Sequence, residues 1–477
     1  LRLTMRPPGA FRALPPRLER FAALLLAVAT AAVAAAAASG QAPASPPSLA
    51  IAHVTIIDTL GGPLEPDRTV VIRDGRIARI EPSGAAVPKG TPLIVPKGTT
   101  VVDGRGRFLI PGLWDMHVHL SWTKESALPV LLANGVTCVR DLGGRLPEID
   151  EWRTRIAAGL IAGPRIFRAG PILNGKSFNP FQMVPGNPDE SRGVVRALKQ
   201  VGVDFIKVHR RIPRDSYFAI LDEARKQNLP LVGHIPMTVT PEEASDAGQA
   251  TIEHTETLFE GTFAAAMKDS DLAGAIRRFR SDAADKLFAR FAANKTVVDP
   301  TLVAYHAVLV GSDPSAPPDP RDRYVAQSFK DEARKKVEPV SAEQLAAYRQ
   351  TFAELCEVVR QMNRAGVTLI AGSDVAATRI PGFTLQEELT LLAGCGLTPL
   401  QALQAATWNA AKILNATADF GAIAAGKRAD LVLLDGNPLE DIRNTQRIAA
   451  VVFGGKLLRR ADLDALLAEA EQRAKNN

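Results

Sequence analysis

Phe108 to Leu120 reads FLIPGLWDMHVHL, an apolar run that ends in two histidines, His117 and His119, with a single valine between them. Side chains of a β-strand alternate between its faces, so both imidazoles of such a pair point the same way. Two imidazoles side by side at a strand end form a pair of metal ligands. Two nitrogens do not close a site. The other residues needed for one stand at later strand-like ends: Lys207 in DFIKVH, His234 in LPLVGHIP, His254 in ATIEHTE and Asp374 in VTLIAGSDVA. Each follows a short hydrophobic run and precedes a polar or helical stretch.

Strand and helix patterns alternate around these positions, as in parallel βαβ units. Strands are expected near residues 112–119, 136–141, 165–169, 205–209, 231–234, 251–254, 297–301 and 368–374. Eight such units close into a barrel whose active site lies at the C-terminal strand ends, where the candidate ligands fall. The ordered set His-x-His, Lys, His, His, Asp resembles the metal-dependent amidohydrolase superfamily, and most of all its imidazolonepropionase-like and Xaa-Pro dipeptidase-like branch. The resemblance runs from about Ala50 to Leu458.

On either side of the barrel text lie short strands and glycine turns: IAHVTIID, TVVIRDGRIARIEP and TTVVDGRGRFLI before it, ADLVLLDGNPLEDI and RIAAVVFGGKLL after it. Asp74-Gly75 between alternating apolar residues is a hairpin signal. The expected organisation is an α/β chain: a leader over 1–47, a small β-sandwich built from 48–109 and 419–460, a (β/α)8 TIM barrel over 110–418, and a C-terminal helix or tail over 461–477. GAIAAGKRADLVLLD, Gly421 to Asp435, resembles the family's C-terminal signature. A loop from Gly311 to Arg323 and a helical segment from Ala342 to Ala365 stretch the last unit, as an overhang of the mouth or as a solvated decoration.

Formal net charge is +6, but residues 1–40 carry five arginines (Arg2, Arg6, Arg12, Arg17, Arg20) against one acid (Glu19), a balance of +4 that leaves +2 for the rest. The charge therefore points to no nucleic-acid partner. Basic residues up to Arg20, the apolar FAALLLAVATAAVAAAAASG and a Pro/Ser/Ala stretch have the layout of a secretory signal, so the expectation is export to the periplasm or outside. The apolar run approaches a bilayer span, and membrane contact is expected only through it if it stays uncleaved. Cys138, Cys356 and Cys395 are an odd number at wide spacing, which reads as buried free thiols rather than a disulfide framework.

The resemblance implies specific roles. Lys207, on a strand buried on both faces where a bare ammonium is costly, would be carboxylated, its carbamate bridging two divalent ions. The bland alternative is a lysine paired to a barrel acid. His117, His119 and Asp374 would hold one ion, and His234 and His254 the other. Zinc comes first, with manganese or iron as alternatives. A metal-bridging hydroxide would attack, and Asp374 would act as general base and pass the proton to the leaving amine. The substrate would be a dipeptide, an N-acyl amino acid or a related small amide; the homo-oligomeric state stays open.

His209 shares Lys207's strand face and is a candidate to bind substrate or a developing oxyanion. Further pocket candidates are Trp122, Lys124, Arg140, Asp141, Asn174, Lys176, Arg210, Arg211, Tyr305 and Arg379, where an arginine could grip a carboxylate. His53 reads as structural, and His306 as either a helix core residue or a pocket residue. A mononuclear cyclic-amide hydrolase or deaminase of the same superfamily is the alternative activity. Deaminases resembling this fold place a glutamate three residues after the fifth-strand histidine, and here that residue is Met237. A non-catalytic scaffold is disfavoured because all six ligand positions are filled.

Overall fold

The computed structural model describes residues 48–83, 98–258, 272–311, 319–327, 340–376 and 379–475, together with 313, 315, 317 and 330. The leader lies outside the described residues. No described helix is long and apolar enough to cross a membrane.

Seven parallel strands carry the central layer: β1 (Leu113–Val118), β2 (Val136–Asp141), β3 (Arg165–Arg168), β4 (Ile206–Val208), β5 (Leu231–Gly233), β6 (Thr251–Glu253) and β7 (Val297–Asp299). Every residue of β1, β2, β4, β5, β6 and β7 is buried, as expected of parallel strands covered on both faces. Between them, the helix Ala127–Ala133 is buried throughout and longer helices bury one side. In Arg214–Lys226 the stripe is Tyr217, Ile220, Leu221 and Ala224, the i, i+3, i+4, i+7 spacing of one helix face, and the Tyr217 hydroxyl donates to Gln249 Oε1 at 2.8 Å.

The strands fall into two ladders. β1, β2 and β3 form one; β4 to β7, with the short strands Ile172–Leu173 and Gln182–Met183 beside β4, form the other. Residues 367–375 lie between them as the eighth segment, bridged singly to β7 (Val298 with Leu369) and to β1 (Val118 with Val375), both parallel. At the opposite seam the Asp204 amide donates to the Arg168 carbonyl at 3.0 Å. The expected strand positions are thus present, in an α/β fold whose ladder is not continuous at these two seams among the described residues.

The ends of the chain do meet, in one hydrogen-bonded eight-stranded ladder. It runs Lys456–Arg459, Ile448–Phe453, Leu431–Leu434, Phe108–Pro111, Leu49–Ile56, Glu65–Arg73, Arg76–Pro82, with Thr100–Asp103 beside Leu49–Ile56. Its own core holds Ile51, Val54, Ile72, Leu109, Leu433 and Val452. Asp74 (φ 52°) and Gly75 (φ 72°) form the expected two-residue hairpin, both central residues having the positive φ of a type I′ turn. Phe108–Pro111 runs through Gly112 straight into β1, so the terminal sheet anchors the strand that carries the His-x-His pair.

One expectation is overturned. Cys356, on the helix Ala342–Arg364, and Cys395, at the end of the helix Phe383–Gly394, form a disulfide with Cα atoms 4.7 Å apart; only Cys138 is free, and it is buried. The pairing arises because the two helices pack side by side, which a separation of 39 residues does not reveal.

Candidate active site

His119 follows β1, Lys207 lies within β4, His209 follows it, His234 follows β5, His254 follows β6 and Asp374 lies in the eighth segment. All are C-terminal ends of parallel strands, which is where active sites of such folds are built. Five imidazoles stand in a file: ring centroids are 5.2 Å apart for His119 and His117, 4.8 Å for His117 and His254, 4.7 Å for His254 and His234, and 4.2 Å for His234 and His209. Asp374 Oδ1 is 3.4 Å from both His117 Nε2 and His119 Nε2.

Lys207 is buried with no hydrogen bond to its Nζ. Burial lowers its pKa to about 8, with Arg140 adding to the fall while Glu253, Asp374 and Asp299 oppose it. Burial likewise drives His117 and His234 well below the ordinary histidine range, His209 to about 3 and His254 to about 4, with the Lys207 charge pushing each the same way. These rings are neutral, the state in which imidazole is a ligand. Burial would raise the Asp374 carboxyl, but Arg379 and the neighbouring histidines hold it well below the usual range.

The site is backed by a second buried layer. Arg140 is fully buried and grips both Glu253 oxygens at 2.9 and 2.8 Å, Thr251 Oγ1 at 3.0 Å and the Met116 carbonyl at 2.6 Å. Glu253 Oε2 is 3.5 Å and Asp299 Oδ2 3.9 Å from His117 Nδ1. Glycine is required at two places around it: a Cβ on Gly372 would lie 2.3 Å from Asp299 Oδ2, and one on Gly233 (φ +126°) would lie 2.2 Å from the Val208 carbonyl and 3.0 Å from Lys207 Cδ.

Whether these residues suit metal ions can be judged from their unmet valences. Neither ring nitrogen of His117, nor Nδ1 of His209 and His234, nor Lys207 Nζ has a hydrogen-bond partner, though all are buried. Buried polar atoms are otherwise nearly always paired. Donor atoms of His117, His254 and Asp374 lie within 4.8 Å of one another. Imidazole nitrogens beside a carboxylate suit zinc and similar divalent ions. His117, Glu253 and Asp299 are equally close, but there the Arg140 guanidinium already supplies the positive charge.

Other expected site residues are placed elsewhere. Arg140 and Asp141 are not pocket residues: Arg140 lies in the buried layer, and the Asp141 carboxylate accepts from the Leu120 and Gly143 amides. Lys124 pairs with Glu148, and Asn174 accepts from the Arg211 amide. Tyr305 stacks on Phe352, a neighbour on helix Ala342–Arg364 and not on the imidazole file. Arg379 donates to the Asp374 carboxylate at 2.8 Å, so it holds the candidate base. His306 is bonded to Glu387 at 3.0 Å, and His53 to Asp67 at 2.7 Å. Arg210 is exposed beside His209, whose pKa it helps to lower. Trp122, edge-on to His119 at 4.8 Å and to Phe181 at 4.5 Å, gives the site an aromatic side. Glu253 and Asp299 escaped the sequence reading, although each is an acid closing a short apolar strand, the same signal that marked Lys207 and Asp374.

A family model described as the amidohydrolase family matches residues 108–458. An ochratoxinase of Aspergillus niger is 24% identical over 418 residues, covering 74% of this chain and 75% of its own. A Bifidobacterium longum protein designated a prolidase by inference has a crystal structure with a TM-score of 0.65 and 27% identity, over 89% of this chain and 99% of that one. A bottromycin amidohydrolase has a TM-score of 0.74 at 24% identity over 90% and 91%, a likeness of fold. With the family model spanning well over half of its 477 residues, from the strand that leads into the His-x-His pair to the last strands of the terminal sheet, the chain belongs to the amidohydrolase family.

Proposed function

We propose that the protein is an exported, binuclear metal-dependent hydrolase of a small amide, either a dipeptide or an N-acyl amino acid, within a closed (β/α)8 barrel. The observation that carries this reading is the cluster of buried, unpartnered nitrogens at one rim: His117, His234, His209 and the Lys207 amine. His117, His119 and Asp374 would hold one ion and His234 and His254 the other, with Lys207 as a carbamate between them. Two divalent cations there would lower the pKa of water and polarise the scissile carbonyl.

The chain's own groups do the rest. Asp374 stays ionised because Arg379 holds Oδ2, which leaves Oδ1 as the proton acceptor. As the water oxygen adds to the carbonyl carbon, its proton goes to Asp374; as the C–N bond breaks, Asp374 gives that proton to the leaving nitrogen. His209, with Nδ1 buried and unpartnered beside His234, would bind the substrate or its developing oxyanion. Arg210, exposed beside His209, would pair a substrate carboxylate in the same reading. The amide-bond preference is supported by what the relatives are named for, a prolidase and an ochratoxinase. Export is supported by the character of residues 1–40 and by the Cys356–Cys395 disulfide, which suits an oxidising compartment.

The test is a screen of dipeptides and N-acyl amino acids with zinc- or manganese-reconstituted enzyme, following free amine. Amine release by the wild type and its loss together with bound metal in Lys207→Ala are expected. Full activity in Lys207→Ala, or release of ammonia from ring substrates with no amide cleaved, would overturn the reading in favour of the mononuclear alternative.

A further inference from the structure

His254 Nδ1 lies 2.7 Å from the hydroxyl of Thr301, and both residues are buried. Thr301 immediately precedes the helix Leu302–Gly311, a position where a threonine hydroxyl ordinarily caps the first free amides. It does not do so here. Those amides are taken by the fully buried carboxyl group of Glu388, on the helix Phe383–Gly394: Leu302 N–H donates to Oε1 at 3.1 Å and Val303 N–H to Oε2 at 2.7 Å.

Thr301 also sits at φ +44°, a left-handed conformation that β-branched residues rarely adopt. Strain of this kind persists only where the surroundings over-determine it, and it gathers at functional sites. The surroundings are specific. On one side the His254 amide donates to the Asp299 carbonyl at 2.9 Å and the Thr255 amide to the Pro300 carbonyl at 3.2 Å; on the other Glu388 clamps the first turn of the helix. The 299–303 turn is held between the end of β6 and a helix more than 80 residues later in sequence.

We infer that Thr301 is a positioning residue for His254, and that Glu388 relieves it of its capping duty so that its hydroxyl is free for that purpose. In this arrangement His254 Nδ1–H donates to Thr301 Oγ1, which fixes the tautomer and leaves Nε2 as the ligand atom. The inference rests on the reading of His254 as a metal ligand.

The experiment measures zinc affinity of the purified full chain by chelator competition, beside thermal unfolding of the metal-free chain, for His254→Ala, Thr301→Val, Thr301→Ser and Glu388→Gln. Thr301→Val keeps the shape and loses the oxygen; the expected loss is about 10- to 100-fold in affinity for one ion, the usual effect of removing a partner of a ligating histidine. Thr301→Ser, which keeps the hydroxyl, is expected to stay within a few-fold of wild type. Glu388→Gln, which can accept only one of the two amides, is expected to lose affinity although position 301 is untouched. Wild-type zinc affinity in both Thr301→Val and Glu388→Gln would overturn the inference, and so would equal losses in the valine and serine variants. Full zinc loading in His254→Ala would instead overturn the ligand reading on which it rests.

Discussion

His53 lies in the terminal sheet and His306 on the helix Leu302–Gly311, and each has Nδ1 on a carboxylate, Asp67 at 2.7 Å and Glu387 at 3.0 Å, with the pair partly open to solvent. The five histidines at the rim differ. They crowd one another, and His117, His209 and His234 keep buried ring nitrogens with no partner. Leaving one such group unpaired costs about 1–3 kcal/mol, so a cluster of them makes sense only if something outside the chain completes it. The contrast sets His117, His209 and His234 apart from His53 and His306 by valence rather than by position in the sequence.

The comparison can be broken most severely at Lys207. Lys207→Ala is expected to lose metal and to lower amide hydrolysis by about a thousandfold or more, the scale of removing a charge-stabilising group, as read by metal analysis and amine release. Asp374→Asn should cost roughly 10²- to 10⁴-fold in kcat through loss of the general base. In the layer behind the imidazoles, Arg140→Met strips the partner from buried Glu253 and should destabilise the chain by about 3–5 kcal/mol in denaturant unfolding.

A pH experiment sharpens the same contrast. Lys207 is held at about 8, below the ordinary 10.5 of a lysine, so above pH 8 its amine is free to take up carbon dioxide, and below it the free amine falls roughly tenfold per unit. At fixed dissolved carbon dioxide, reconstitution of apo-protein should therefore be faster at pH 8.5 than at pH 6.5. The depressed pKa also has a stability consequence: between about 8 and 10.5 the unfolded chain binds more protons, so the metal-free protein gains stability as pH rises through that window. At the other extreme, Asp67→Asn should change stability by no more than about 1 kcal/mol, since its pair with His53 is 39% and 29% exposed.

Much of the parallel-strand layer was legible because period and punctuation agree: each apolar run ended at a polar residue, and β1 to β7 fall within two residues of the expected ends. The six candidate ligands share one rim for the same reason. The Arg140–Glu253–Asp299 layer was not legible, because alternation tells that Glu253 points inward but not which strand's arginine, 113 positions earlier, will meet it. The Cys356–Cys395 bond and the reach of Glu388 to residues 302 and 303 depend on how helices pack, which local pattern does not encode. Tyr305 and Arg379 were placed by nearness to strand ends alone, and the side chains turned to Phe352 and to Asp374 instead.

The most direct measurement is the metal content of the purified full chain, taken beside His117→Asn. Close to two divalent ions per wild-type chain and at most one in the variant is the result expected of imidazoles left unpaired to receive them. A wild-type chain that holds no tightly bound transition metal after reconstitution with zinc or manganese would contradict it.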